Sequence, residues 1–301
     1  MQFTPSQRIA FRFFALLFLL AFVALQVAAA RADSFKPTRF SVTVEGQGPD
    51  VVMIPGLASS AGVWRREADK LKANHRLHIV QVYGFAGTPA GANVNDPILI
   101  SIVDELASYM RANNLKPAVI GHSMGGLLGL MLSDKHPESV GKLMIVDALP
   151  FFGMLFGPQA TAQSVTPQAA AARDKVLAGG QASYASAEPA IMRTLLKSQN
   201  EEAKAAVAAA QASDHKVVAR AMYEVMTTDV RPQLPKIATP TTVLYAFDAA
   251  VGFPQAAVDG LYQAAYAGLP NKRLVRIDNS YHFIQIDQPE AFDREVQTFL
   301  H

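Results

Sequence analysis

Apolar residues occur along this chain in two rhythms. Short runs rich in β-branched and aromatic residues, bounded by Gly, Pro or Asn, alternate with longer stretches in which apolar positions recur at helical spacing. The runs predict strands at 40–44, 51–54, 78–82, 118–120, 143–146, 241–247 and 273–278. The helical spacing predicts helices at 62–73, 98–113, 126–135 and from Gln288 onward. Strand and helix taking turns imply an α/β fold: a mainly parallel twisted sheet with helices on both faces. In such a sheet the functional loops collect at the carboxyl ends of the strands.

Residues 151–235 break the alternation. They are alanine-rich, carry Gln, Ser and charged residues at helical spacing, and contain no strand-like run, so they read as a helical insertion. The segment Asp229-Val230-Arg231-Pro232 leads back toward the sheet. The expected organisation is an amino-terminal segment 1–32, a core built from 33–150 and 236–301, and the insertion 151–235.

The first 32 residues have the makeup of an export signal. Arg8 and Arg12 precede an apolar run at 13–27, and Ala30-Arg31-Ala32 forms a small-x-small cleavage site. That run is shorter than the roughly 20 residues that span a bilayer. Cleavage near Ala32 predicts a secreted or periplasmic protein without a stable membrane anchor. Removing the segment takes away three arginines and no acid, so the formal charge of +2 becomes −1. A near-neutral chain with no basic or aromatic-interleaved patch excludes an electrostatic case for nucleic acid. With no cysteine, disulfides and thiol catalysis are excluded. No pair among the seven histidines has metal-ligand spacing, so no metal is expected. The loop Tyr83-Gly84-Phe85-Ala86-Gly87-Thr88-Pro89 lacks a phosphate-binding pattern, and no nucleotide is implied.

The richest chemistry lies in Gly121-His122-Ser123-Met124-Gly125, between a short apolar run and a small-residue helix start. A serine hydroxyl is a weak nucleophile and must be held exposed, near a base and beside donors that stabilise an oxyanion. A sharp strand-to-helix turn does this, with glycines two residues either side of the serine where a Cβ would collide. The backbone N–H of Met124, at the start of the helix, is placed to donate to developing negative charge.

With these residues the chain resembles the α/β-hydrolase family, whose order is serine, acid, histidine. His282, in Asn279-Ser280-Tyr281-His282-Phe283 after the last strand, is similar to the family's terminal histidine. His122, pointing away from its neighbour in a tight turn, reads as packing or support. For the acid, the resemblance favours Asp248, which follows the strand 241–247. Asp147, which ends the strand 143–146, is the rival, and Asp278 lies too close to the histidine loop. The family often has Gly-x-x-Asp at the place of Ala246-Phe247-Asp248, one residue longer than here. The second oxyanion donor implied is the N–H of Leu57, after Pro55-Gly56. The resemblance also makes 151–235 a cap over the site. Phe151 and Phe152, at its start, either line an apolar substrate pocket or glue the cap to the sheet. The implied activity is carboxylic ester hydrolysis on a small acyl substrate, without metal or organic cofactor. Amide or peptide, lactone or carbon-carbon hydrolysis, perhydrolysis, and a non-enzymatic binding protein are the alternatives.

Overall fold

The computed structural model describes residues 35–301 apart from Pro158; the expected export segment lies outside them. Seven strands form one sheet in the order β1-β3-β2-β4-β5-β6-β7. They are β1 (Phe40–Gly46), β2 (Asp50–Ile54), β3 (Arg76–Val82), β4 (Ala118–His122), β5 (Lys142–Val146), β6 (Thr241–Phe247) and β7 (Lys272–Asp278). Only β1, at an edge, runs antiparallel; every other pairing is parallel. The central strands are buried on both faces, which is why β2, β4 and β5 read as unbroken apolar runs.

Alternation along the strands divides the core in two. Val52, Ile54, Val119, Leu143, Ile145 and Val243 face one layer of helices. Val51, Met53, Ile120, Met144, Val146 and Leu244 face the other. The second layer contains α1 (Arg65–Leu71) and the last helix, α9 (Pro289–Leu300). The first contains α2 (Leu99–Ala112), α3 (Met124–Lys135) and α7 (Gln255–Ala265). Helix α3 is buried continuously from Met124 to Ser133, in keeping with its apolar sequence. Helix α7 was not expected from the sequence. The start of the helix expected at 62–73 is instead a 3-10 turn, Ala61–Trp64, followed by α1.

Between β5 and β6 the regular structure is helical: α4 (Ala162–Leu195), α5 (Glu201–Ala212), α6 (His215–Thr227) and two 3-10 turns. Local capping sets the starts. Thr161 and Ser164 form a capping box, Asn200 accepts from Ala203 N–H, and Asp214 accepts from Lys216 and Val217 N–H. Helix α4 bends at Gly180, whose φ of 72° is outside the helical range. The insertion sits on the carboxyl end of the sheet. Ser213 Oγ accepts from Ala86 N–H at 2.8 Å and contacts the Ala58 carbonyl at 3.3 Å, and Asp214 N–H donates to the Gly84 carbonyl. From α6, Glu224 accepts from the N–H groups of Ile98 and Leu99 at the start of α2. Among the described residues no helix is long and apolar enough to cross a membrane.

Candidate active site

Ser123 occupies the turn from β4 into α3 with φ 53° and ψ −118°, a conformation that costs a non-glycine residue on the order of 1–3 kcal/mol. Main-chain bonds hold it there. Ser123 N–H donates to the Val146 carbonyl at 2.9 Å, and the Ser123 carbonyl accepts from Gly126 and Leu127 N–H. The flanking glycines are required by contact: a Cβ on Gly121 would stand 2.2 Å from the Gly125 carbonyl oxygen, and one on Gly125 2.2 Å from that of Ile54. Either addition would push β4, β2 and α3 apart.

His282 comes from the loop after β7 and reaches back across the tip of β6. Ser280 N–H donates to the Phe247 carbonyl at 3.3 Å, and His122 Nε2–H donates to the His282 carbonyl at 3.0 Å. The His122 and His282 rings lie 4.7 Å apart. His122 is fully buried, and burial, with the charge of His282 nearby, pushes its pKa down to about 3. It is therefore a neutral support that ties the residue before Ser123 to the histidine loop.

The carboxylate on His282 is that of Asp147. His282 Nδ1–H donates to Asp147 Oδ2 at 2.7 Å. This corrects the expectation for Asp248. Phe247 pairs in register with Asp278, and beyond it the Asp248 carboxylate accepts from Ala250 N–H and pairs with Lys197 of the insertion. Asp278 itself pairs with Arg276. Asp147 N–H donates to the Leu244 carbonyl at 2.8 Å, extending the sheet by one residue, and its φ of 47° swings the side chain out of the strand's alternation. Burial alone would raise the Asp147 pKa. The bond and charge of His282, the Ala246 N–H at 2.9 Å and the Tyr262 hydroxyl at 2.9 Å outweigh it and hold the carboxyl below the usual range.

Asp147 on Nδ1 fixes the imidazole tautomer with the Nε2 lone pair free. Ser123 Oγ and His282 Nε2 are both without a hydrogen-bond partner among the described residues, a common state for catalytic groups before substrate binds. Leu57 N–H and Met124 N–H likewise donate to no described group. Gly56 brings the Leu57 loop against the serine, since a Cβ there would stand 3.1 Å from Ser123 Cβ.

Phe151 does not line the site. It is fully buried, with the Arg231 guanidinium 4.5 Å above its ring and Gly153 packed against it, so it belongs to the core beneath the insertion. Phe152 is partly buried and packs on the same core. Three residues were missed in the sequence. Tyr262, on α7, donates to Asp147 Oδ1 and stacks on Tyr245 with centroids 4.4 Å apart. Its signal was the spacing Val258, Leu261, Tyr262, Ala265. Asp287 accepts from Tyr281 N–H and Ser198 N–H, joining the histidine loop to the insertion, and Lys197 holds Asp248. No short motif marks either one.

The family model described as the alpha/beta hydrolase family matches residues 51–295. RutD of Serratia proteamaculans, whose name proposes a carbamate hydrolase, is 27% identical over 267 residues, covering 84% of this chain and 91% of that protein. A pimeloyl-[acyl-carrier protein] methyl ester esterase of Vibrio atlanticus is 34% identical over 110 residues, 36% of this chain and 40% of that one. Among solved structures, an esterase of Exiguobacterium antarcticum superposes with TM-score 0.71 at 17% identity, over 86% of this chain and 94% of that one, a likeness of fold. With a mostly parallel seven-stranded sheet, a strained serine between β4 and α3, and a family match over most of its length, this chain belongs to the alpha/beta hydrolase family.

Proposed function

We propose that this hydrolase cleaves carboxylic esters through an acyl-enzyme on Ser123, with His282 as base and acid and Asp147 as its orienting carboxylate. The observation that carries the reading is the 2.7 Å bond from His282 Nδ1 to Asp147, which leaves Nε2 free in the loop that His122 ties to the serine turn. His282 Nε2 takes the Ser123 proton as Oγ attacks the ester carbonyl carbon. The N–H groups of Leu57 and Met124 receive the oxyanion, and each such donor typically contributes about 10² to 10³ in turnover. The imidazolium returns its proton to the departing alcohol. Water, deprotonated by the same Nε2, then attacks the acyl-enzyme and releases the acid.

The esterase name of the Vibrio relative supports an ester, and the name of the Serratia relative supports a carbamate as the nearest second substrate, since its carbonyl passes through the same chemistry. A fluorophosphonate probe followed by peptide mass mapping should place one adduct on Ser123. A folded protein that takes no adduct would instead be a binding module. A panel of nitrophenyl esters, carbamates, lactones and amides on wild type and Ser123→Ala should show esters turned over fastest and only by wild type; faster amide turnover would overturn the ester reading. Export belongs to the same proposal, with Asp33 expected as the first residue when periplasmic or secreted protein is sequenced.

A further inference from the structure

A cleft of about 690 Å³ lies on the flank of the molecule, between α5 of the insertion and the segment that runs from Ser60 into α1. None of Ser123, Asp147, His282, Leu57 or Met124 lines it. One wall is the small-residue face of α5, including Ala205 and Ala209; the opposite wall has Val63 and, from α9 and the short helix α8 (Ile284–Asp287) before it, Ile286 and Phe292. Such walls admit an apolar body.

Of the polar side chains on the lining, which also include Ser60, Asp69 and Glu202, two are almost wholly buried. Gln285 is 5% exposed and Glu67 is 4% exposed. Both amide atoms of Gln285, Oε1 and Nε2, and Glu67 Oε1 are buried without a hydrogen-bond partner. Leaving a buried donor or acceptor unmade costs about 1–3 kcal/mol, so three in one cleft mark a place built to receive polar atoms. Their chemistry narrows the ligand. Gln285 offers a donor and an acceptor side by side, the complement of another carboxamide. Burial, with Asp293 adding to it, pushes the Glu67 carboxyl up to about 7, so near neutrality it can be protonated and donate as well. Arg65 and Arg66, at the rim, are already paired with Glu45, Asp69 and Glu290. Neither guanidinium is left over for an anionic head group.

We propose that this cleft is a second binding site, separate from Ser123, for a small uncharged molecule with an apolar body and a carboxamide head that pairs with Gln285. The lone tryptophan makes it measurable. Trp64 stacks on Phe292 at 6.2 Å between ring centroids, so its emission reports occupancy of the cleft. Hexanamide titrated into Ser123→Ala protein should give a saturable change in Trp64 fluorescence, and hexanoate and hexylamine should bind at least tenfold more weakly. Gln285→Met, which keeps the length and removes both polar atoms, should weaken hexanamide at least tenfold. Ala209→Leu, on the far wall, should do the same by filling the cleft and serves if the glutamine variant does not fold. The proposal is overturned by absence of saturation, by equal or tighter binding of either charged probe, or by affinity that neither variant changes. It is also overturned if fluorophosphonate labelling of Ser123 in wild type abolishes hexanamide binding, because the probe would then occupy the catalytic site. Labelling itself tests the ester reading, so the two can fail separately.

Discussion

Asp147 and Asp248 end neighbouring parallel strands, β5 and β6, and point to different parts of the molecule. Asp147 turns into the sheet end, where it accepts from His282, Ala246 and Tyr262. Asp248 turns toward the insertion, where it accepts from Ala250 and pairs with Lys197. Both carboxyls are held below the usual range, but for different reasons. At Asp147, burial raises the pKa most and is overcome by three donors; at Asp248, the Lys197 ammonium is the leading influence. A low carboxylate pKa therefore does not identify the working acid. The identity of the donor does: an imidazole in one case, a surface ammonium in the other.

The sharpest way to break this contrast is Asp147→Asn. An amide can present its N–H₂ to His282 Nδ1, which favours the tautomer with the proton on Nε2 and leaves no base for Ser123. Turnover of a nitrophenyl ester should fall by about 10⁴-fold with little change in KM, by analogy with the acid-to-amide change in serine proteases. A loss under tenfold would return the orienting role to another carboxylate.

A third carboxylate separates burial from partners. Glu67 is buried, its Oε1 has no partner, and burial pushes its pKa up to about 7. The folded value lies above the ordinary one near 4.5, so the folded state holds the proton more tightly than the unfolded chain. That stabilising contribution is complete below about pH 4.5 and is lost as pH rises toward 7. Glu67→Gln, permanently uncharged, should escape this loss. Urea unfolding at pH 5 and pH 8 should show wild type losing up to about 3 kcal/mol more than the variant over that interval. Equal slopes with pH would mean that Glu67 is solvated.

Tyr262→Phe tests whether the donors around Asp147 matter to the reaction. Losing a hydrogen bond to a charged group costs about 1.5–3 kcal/mol, part of which falls on the orientation of the carboxylate. Turnover should drop about tenfold with KM unchanged, while Tyr245→Phe, which keeps the stacked ring, should leave turnover within about twofold. If both variants behave alike, the tyrosine stack acts on stability alone.

The strand and helix alternation, the serine turn and the histidine loop were legible because each rests on local constraints. A buried parallel strand must be apolar, and two glycines must flank a strained serine whose neighbours would otherwise overlap. The acid was not legible. Asp147 and Asp248 occupy equivalent places after strands, and the choice between them depends on where residues 279–283 cross and on a lysine about fifty positions before Asp248. The same holds for Phe151. An apolar cluster at the start of an insertion suits a pocket or a core equally, and only the stacking of Arg231 and the packing of Gly153 decide it.

The smallest expected effect is also the closest control for the first. Asp248→Asn keeps an oxygen for Ala250 N–H and removes only the charge that faces Lys197, a side chain 42% exposed. An ion pair with one exposed partner contributes roughly 0–1 kcal/mol, so turnover should stay within about threefold and the melting temperature should fall by only about 2 °C. Combining Asp248→Asn with Asp147→Asn adds a further discrimination. If Asp248 is a latch between insertion and sheet, the double variant should be no slower than Asp147→Asn alone, because the two sites share no partner. If Asp248 moves onto His282 once Asp147 is neutral, the double variant should be slower by a further tenfold or more. The acid role would then be shared by the two strand ends rather than confined to β5.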